Sequence, residues 1–246
     1  YTTIHFTARD GYYLRIIYDR IRKNKKDSFG SSNYLYASRK ALIPLEIENK
    51  NDIDIIYTNS KYSANTARKI INSYISVLQP ISMRIEDCYK QHGFLMDKTF
   101  ESEEEWFKFV QCLKEIQYSE EQAKNNFSEC QKYFKNNVKK GDLIFDLGYS
   151  GKLHSEIIKA LGYSVDGAYV NFSGYEAVYK NKKEKLNISS YYDFIPSMHG
   201  IVTEYIFSDR GPSCKGYKNG TPIFEDKIHD AIGDYVISEI NRGAYN

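Results

Sequence analysis

The feature that most constrains this chain is a strand, elbow and helix pattern that occurs at two places far apart in the sequence. Residues Thr3 to Ala8 read as a strand that runs into the polar elbow Arg9-Asp10-Gly11. A helix follows, with Leu14, Ile17, Tyr18 and Ile21 at the three, four and seven spacing of a one-faced helix. The second occurrence starts with Asp142-Leu143-Ile144-Phe145, a buried strand, and continues through the loop Asp146 to Gly151. Leu153, Ile157, Ala160 and Leu161 then give a helix its buried face, and Gly162 ends it. Ser164 to Val170 supply one more strand. Strand, helix, strand with short links is a right-handed crossover between parallel strands, so an α/β fold with a parallel sheet is expected. Ligands of such sheets sit at the carboxyl ends of the strands, where both elbows fall.

Between the two occurrences the character changes. Tyr34 to Ala37 read as a second short strand ending at Ser38-Arg39-Lys40, with Pro44 closing the segment. Residues 46–138 are polar and helix-rich. Ala64, Ala67, Ile71, Tyr74 and Leu78 predict a helix stopped by Pro80. Ser102 and Glu105 form a capping-box pattern before Trp106, Val110 and Leu113, and Ser119 with Gln122 repeats it. The acidic run Glu103-Glu104-Glu105 suits the positive end of a helix dipole better than a ligand. The expected organisation of residues 1–246 is therefore a single domain with core segments 1–45 and 139–246 and a helical insertion at 46–138. The remainder predicts a helix-to-strand segment from Met198 to Phe207, a turn-rich stretch with Gly211, Pro212, Gly216 and Gly220, and a last helix striped by Ile228, Ala231, Ile232, Tyr235, Val236 and Ile240. A strand so near Tyr1 suggests a piece of a longer polypeptide.

Composition removes several function classes. No run approaches the roughly 20 apolar residues of a membrane span. With 34 Lys plus Arg against 32 Asp plus Glu, the net field argues neither for nucleic acid nor for an anionic membrane surface. Cys88, Cys112, Cys130 and Cys214 show no zinc-ligand spacing and read as reduced thiols of a soluble, cytoplasmic protein. No two of the five histidines stand at metal-ligand spacing. His154 could face the second elbow, although an exposed or capping role suits it better.

Asp10 and Asp146 each follow an apolar strand directly, and carboxylates converging from neighbouring strands make an oxygen-lined site for Mg²⁺. Ser38, also just past a strand, can hold a phosphate oxygen, with Arg39 or Lys40 matching its charge. Each residue has a plainer reading: Asp10 as a helix N-cap, Asp146 as an Asx-turn residue. Gly148 and Gly151 suggest a backbone that lets something approach closely. It is the joint placement at three strand ends that favours a phosphorylated ligand.

The residues Phe6-Thr-Ala-Arg-Asp-Gly-Tyr-Tyr-Leu14, Tyr34-Leu-Tyr-Ala-Ser-Arg-Lys-Ala41, Phe145-Asp-Leu-Gly-Tyr-Ser-Gly151 and Ile201 to Tyr217 resemble the haloacid dehalogenase superfamily. More narrowly, they resemble the hydrolase-like domains found beside glycosyltransferases in bacterial surface-polysaccharide proteins. That resemblance implies a three-layer Rossmann-like core, a helical cap, Mg²⁺ held by Asp10 and Asp146, and hydrolysis of a small sugar or polyol phosphate. It also implies glycosyltransferase domains as partners in the same polypeptide. Arg9, Gly11, Ser38, Arg39, Lys40, Gly148 and Ser150 would line the phosphate. One departure matters: the family pattern has a nucleophilic aspartate where this chain has Ala8. Either Asp10 is the nucleophile, with Tyr12 in the acid/base position, or the domain binds without turning over and serves as a scaffold. The family's lysine partner could be Lys40, Lys139 or Lys140. Glu204, Asp209, Arg210 and Ser213 bracket a turn that could close over the cleft. The loop Asp146 to Gly151 also matches the start of a methyltransferase's S-adenosylmethionine loop, but Val170-Asn171 offers no acidic residue for the ribose.

Overall fold

Both elbows lie on one five-stranded parallel sheet, in strand order β2-β1-β3-β4-β5. The computed structural model describes residues 1–25, 30–148, 150–171, 188–192, 207, 209, 211–226, 235 and 239. Strand β1 (Thr3–Thr7) leads into α1 (Gly11–Asn24) and β2 (Ser31–Leu35). Further along, β3 (Leu143–Asp146), α8 (Lys152–Leu161), β4 (Asp166–Asn171) and β5 (Ile188–Tyr192) follow. The chain steps outward from β1 in one direction and from β3 in the other. With one crossover hand, that reversal puts α1 and α8 on opposite faces, which gives the expected α/β, Rossmann-like three-layer architecture. It also opens a crevice between β1 and β3, the topological switch point where doubly wound sheets of this order bind ligands.

By contact density the chain forms two units, residues 1–39 with 131–246, and residues 40–130. The second contains most of α2 (Arg39–Glu46), then α3 (Ile55–Asn59), α4 (Ala67–Ser73), α5 (Met83–Gln91), α6 (Glu103–Ile116) and the first part of α7 (Glu120–Asn137). Its core is aromatic: Trp106 stacks on Phe109, and Phe94, Phe100 and Tyr89 pack around that pair. Burying each such ring contributes about 1.5–3 kcal/mol. Ser102 caps α6 by accepting from the Glu105 backbone N–H, as the sequence predicts.

Three local expectations change. The predicted helix from Ala64 shortens to α4, because Thr66 takes an extended N-cap conformation and accepts from the Lys69 N–H, leaving Ala64 in a separate 3-10 turn. Pro44 does not close its segment but lies inside α2 with its ring buried, giving up one backbone hydrogen bond. The turn-rich stretch forms an antiparallel hairpin, β6 (Cys214–Lys218) and β7 (Thr221–Phe224). Its turn residues Asn219 and Gly220 have φ 53° and 72°, the paired left-handed conformation in which Asn-Gly is favoured. Most of Met198 to Phe207 and of the last predicted helix lies outside the described residues. No helix among the described residues is long and apolar enough to cross a membrane.

A buried polar clip sets the register of β1 against β3. Asp142 accepts from the backbone N–H of Thr3 (3.1 Å) and of Lys139 (2.8 Å), and its Oδ2 lies 2.9 Å from His5 Nε2. Asn33 Nδ2 lies 3.2 Å from His5 Nδ1. If the amide donates there, the ring proton stands on Nε2, facing Asp142. His5 and Asp142 are 1% and 3% exposed, so removing one partner strands the others away from water. We expect Asp142→Ala to lose at least about 3 kcal/mol of stability in urea unfolding; a loss below about 1 kcal/mol would show that the clip is dispensable.

Candidate functional site

Parallel pairing matches Ile4 with Leu143, His5 with Ile144 and Phe6 with Phe145, so Thr7 comes level with Asp146. The Thr7 hydroxyl donates to Asp146 Oδ1 at 2.9 Å. The backbone N–H groups of Leu147 and Gly148 also donate to that carboxyl. Asp146 is thus fixed at the mouth of the crevice, not floating in a turn. Burial pushes its pKa up to about 7, the nearby charge of Asp10 pushes in the same direction, and the three donors hold it down. The two carboxylates, 136 residues apart in the chain, therefore share one electrostatic environment.

Asp10 occupies the N-cap of α1 but makes no capping hydrogen bond with its side chain. Gly11 is needed for packing. A Cβ there would stand 2.9 Å from both the Phe6 carbonyl carbon and the Phe6 Cβ, so α1 can only start this close to β1 with glycine. The elbow is held through the Arg9 carbonyl, which accepts from the N–H of Tyr12 (3.2 Å), the N–H of Asp209 (3.0 Å) and the phenol of Tyr34 (3.4 Å). The Arg9 side chain is exposed. Tyr12 is half-buried, edge-on to Tyr34 at 5.7 Å. Tyr34 in turn feels the charges of Asp209 and Asp10. Asp209 belongs to the turn that the sequence reading expected to close over the cleft, and its backbone N–H reaches the Arg9 carbonyl at the elbow. Its position is tertiary, and the only local signal was the Gly211-Pro212 turn beside it.

On the β3 side, Ser150 Oγ accepts from the Lys152 N–H at 3.4 Å. Gly151 takes φ 67° as the N-cap of α8, a conformation glycine enters without penalty. Tyr149 lies outside the described residues, as do Glu204 and Arg210. At the end of β2, the Ser38 hydroxyl donates to the Cys214 carbonyl, so its proton serves the hairpin and not a phosphate. Arg39 is exposed at the start of α2. Lys40 belongs to the other unit and lines a groove there with Thr66, Arg68, Lys69, Asn72, Ser73 and Asp97.

Two proposed lysine partners are corrected by strand direction. Lys139 and Lys140 precede β3, at the opposite end from Asp146; Lys139 Nζ donates to the Lys135 carbonyl, and Lys140 stands over the Tyr163 ring. His154 takes neither role the sequence suggested. It is fully buried, Nε2 donates to the Val165 carbonyl at 2.8 Å, and burial lowers its pKa. Among the described residues no group of three or more His, Cys, Asp or Glu side chains is arranged to hold a metal ion. Two carboxylates with ligand oxygens and water are nonetheless a sufficient set for Mg²⁺, and a buried carboxyl raised by a neighbouring negative charge is one that a cation would relieve. No family model matches the chain, and no curated protein matches it.

The raised Asp146 pKa carries a stability consequence. In the unfolded chain this group titrates near 3.8, and in the folded chain near 7. Its contribution to stability is therefore fully present below pH 3.8 and is lost as pH rises through 7. We expect Asp146→Asn, which cannot ionise, to gain stability relative to the parent by a few kcal/mol between pH 4 and pH 8. Denaturant titrations of both proteins across that range check this; parallel pH profiles would contradict a buried, raised carboxyl.

Proposed function

We propose that the crevice between β1 and β3 binds a phosphate monoester of a sugar or polyol together with Mg²⁺, and that the protein hydrolyses it. The observation that carries this reading is the placement of Asp10 and Asp146 at the ends of the adjacent strands β1 and β3, across the switch point, with Asp146 buried and held by Thr7; burial first and the Asp10 charge second push the Asp146 carboxyl up. Two carboxylates that share one field are an arrangement suited to a cation and to proton handling.

Asp10 and Asp146 would hold the ion, which when bound supplies charge neutralisation at the phosphoryl oxygens. Thr7 and the Leu147 and Gly148 N–H groups orient Asp146. Asp10 attacks phosphorus: its Oδ–P bond forms as the ester P–O bond breaks, and the departing alcohol takes a proton from Tyr12. Water then cleaves the acyl phosphate, which restores the Asp10 carboxylate, releases phosphate and returns a proton to Tyr12. Ala8 lies two residues before Asp10 and cannot take part, so a single elbow carboxylate carries the chemistry. The four free cysteines suit a cytoplasmic setting, and the resemblance to glycosyltransferase-associated domains supports a role in bacterial surface-polysaccharide synthesis, with glycosyltransferase domains as partners in the same polypeptide.

The test is phosphate release from a panel of sugar and polyol phosphates, with and without Mg²⁺. Release should require Mg²⁺ and fall at least about 1,000-fold in Asp10→Asn. Independently of turnover, Mg²⁺ should raise the melting temperature of the parent near pH 7.5 and leave that of Asp146→Asn unchanged. Phosphate-ester and Mg²⁺ binding without release would make the domain a binding scaffold. A melting response to S-adenosylmethionine in place of both would overturn the proposal.

A further inference from the structure

Arg15 stands one turn into α1, directly behind the elbow. Its guanidinium lies over the Tyr34 ring, 5.5 Å from the centroid. The side chain is half-buried, and its Nε is shut off from water with no hydrogen-bond partner. The charges of Asp10 and Asp209 both reach the same tyrosine. An arginine presents five donors and stays charged, so leaving its buried Nε unmet costs more than a lost surface contact. Arg68 shows what this chain does with a guanidinium whose role is structural: it pairs with Asp97 through Nε and Nη2 at 2.7 and 3.1 Å and with Glu86 at 3.1 Å.

The platform beneath Arg15 is rigid. The Tyr34 phenol donates to the Arg9 carbonyl, and the ring meets Tyr12 and Tyr36 edge-on at 5.7 and 5.1 Å. A guanidinium resting on a pinned ring loses little freedom when it gains an acceptor, and its fork matches two oxygens of a tetrahedral anion.

We infer that Arg15, held on Tyr34 behind the Asp10 elbow, binds the phosphoryl group of the ligand and makes the site selective for dianionic phosphate. The inference rests on the phosphate-ester reading of the crevice between β1 and β3. It gives that crevice a cation of its own, which Lys139 and Lys140, at the opposite end of β3, do not supply.

The experiment is calorimetric titration of the full 246-residue chain with inorganic phosphate in the presence of Mg²⁺, comparing the parent with Arg15→Met and Arg15→Lys. Phosphate affinity should fall at least about tenfold in Arg15→Met. Arg15→Lys should recover only part of it, because an ammonium lacks the fork. The phosphate-free melting temperature of Arg15→Met should equal or exceed the parent's, since the substitution removes an unmet buried donor. Phosphate affinity within about twofold of the parent, or a lower phosphate-free melting temperature with affinity retained, would assign Arg15 to the fold and overturn the inference while leaving the hydrolase reading intact. If Arg15→Met does not fold, Arg15→Gln is judged by the same affinity criterion. A parent that binds no phosphate at millimolar concentration would overturn both readings.

Discussion

The pairing of β1 with β3 is the constraint on which the rest of the site depends. It is fixed at both ends by side chains and not by the backbone ladder alone. At one end Asp142 gathers Thr3, His5 and Lys139, and at the other Thr7 reaches Asp146. A slip of one residue would turn every side chain of a strand to the opposite face. It would separate Thr7 from Asp146 and strand the buried Asp142. These two contacts thus convert a sheet register into the geometry of the candidate site. They also explain why polar residues appear where a fully covered parallel strand would be expected to read as uniformly apolar.

Asp146 illustrates how a fold tolerates a group that works against it. Burial and the Asp10 charge both disfavour its ionised form, and only three donors counter them. An asparagine there would remove the ionisation penalty but would leave a single acceptor oxygen for the three donors. A carboxyl that titrates near 7 is, in exchange, able to take up or give up a proton under ordinary conditions. The same environment would favour a cation, because a positive charge relieves both carboxylates at once.

The sheet and the two elbows were legible because they are written in local pattern: an apolar run, a carboxylate, a glycine, then a helical stripe. Gly162 and Ser102 ended and began helices as their residue types predict. What escaped was whatever depends on a distant partner. Nothing local marks Ser38 as a hydrogen-bond donor to Cys214, 176 residues on, or His154 as packed against Gly167, where a Cβ would stand 2.4 Å from the imidazole. The hairpin is different, since Asn219-Gly220 is a turn signal that the reading of that stretch as merely turn-rich did not use. Lys139 and Lys140 could also have been excluded without coordinates, because residues that precede a strand cannot reach its carboxyl end.

The abundance of tyrosine carries little information in the sequence, but at the elbow it has a physical role. A loop that presents a carboxylate must not drift, yet its backbone has few ladder partners once the strand has ended. Here the Arg9 carbonyl is the anchor, and Tyr34 supplies one of its donors from a neighbouring strand. Burial and the adjacent carboxylates push the Tyr34 pKa upward, so the phenol keeps its proton and remains a donor throughout the range in which Asp146 titrates. Tyr36 extends the same wall: its N–H donates to the Tyr133 phenol and its carbonyl accepts from the Tyr217 phenol, while Tyr133 and Tyr217 stack at 4.3 Å. The ring system therefore ties the elbow to β2, the end of α7 and the hairpin at once. A loop without such ties would need ordering; this elbow is ordered by aromatic groups, of which Tyr34 and Tyr133 have their pKa values pushed up mainly by burial and so keep their protons.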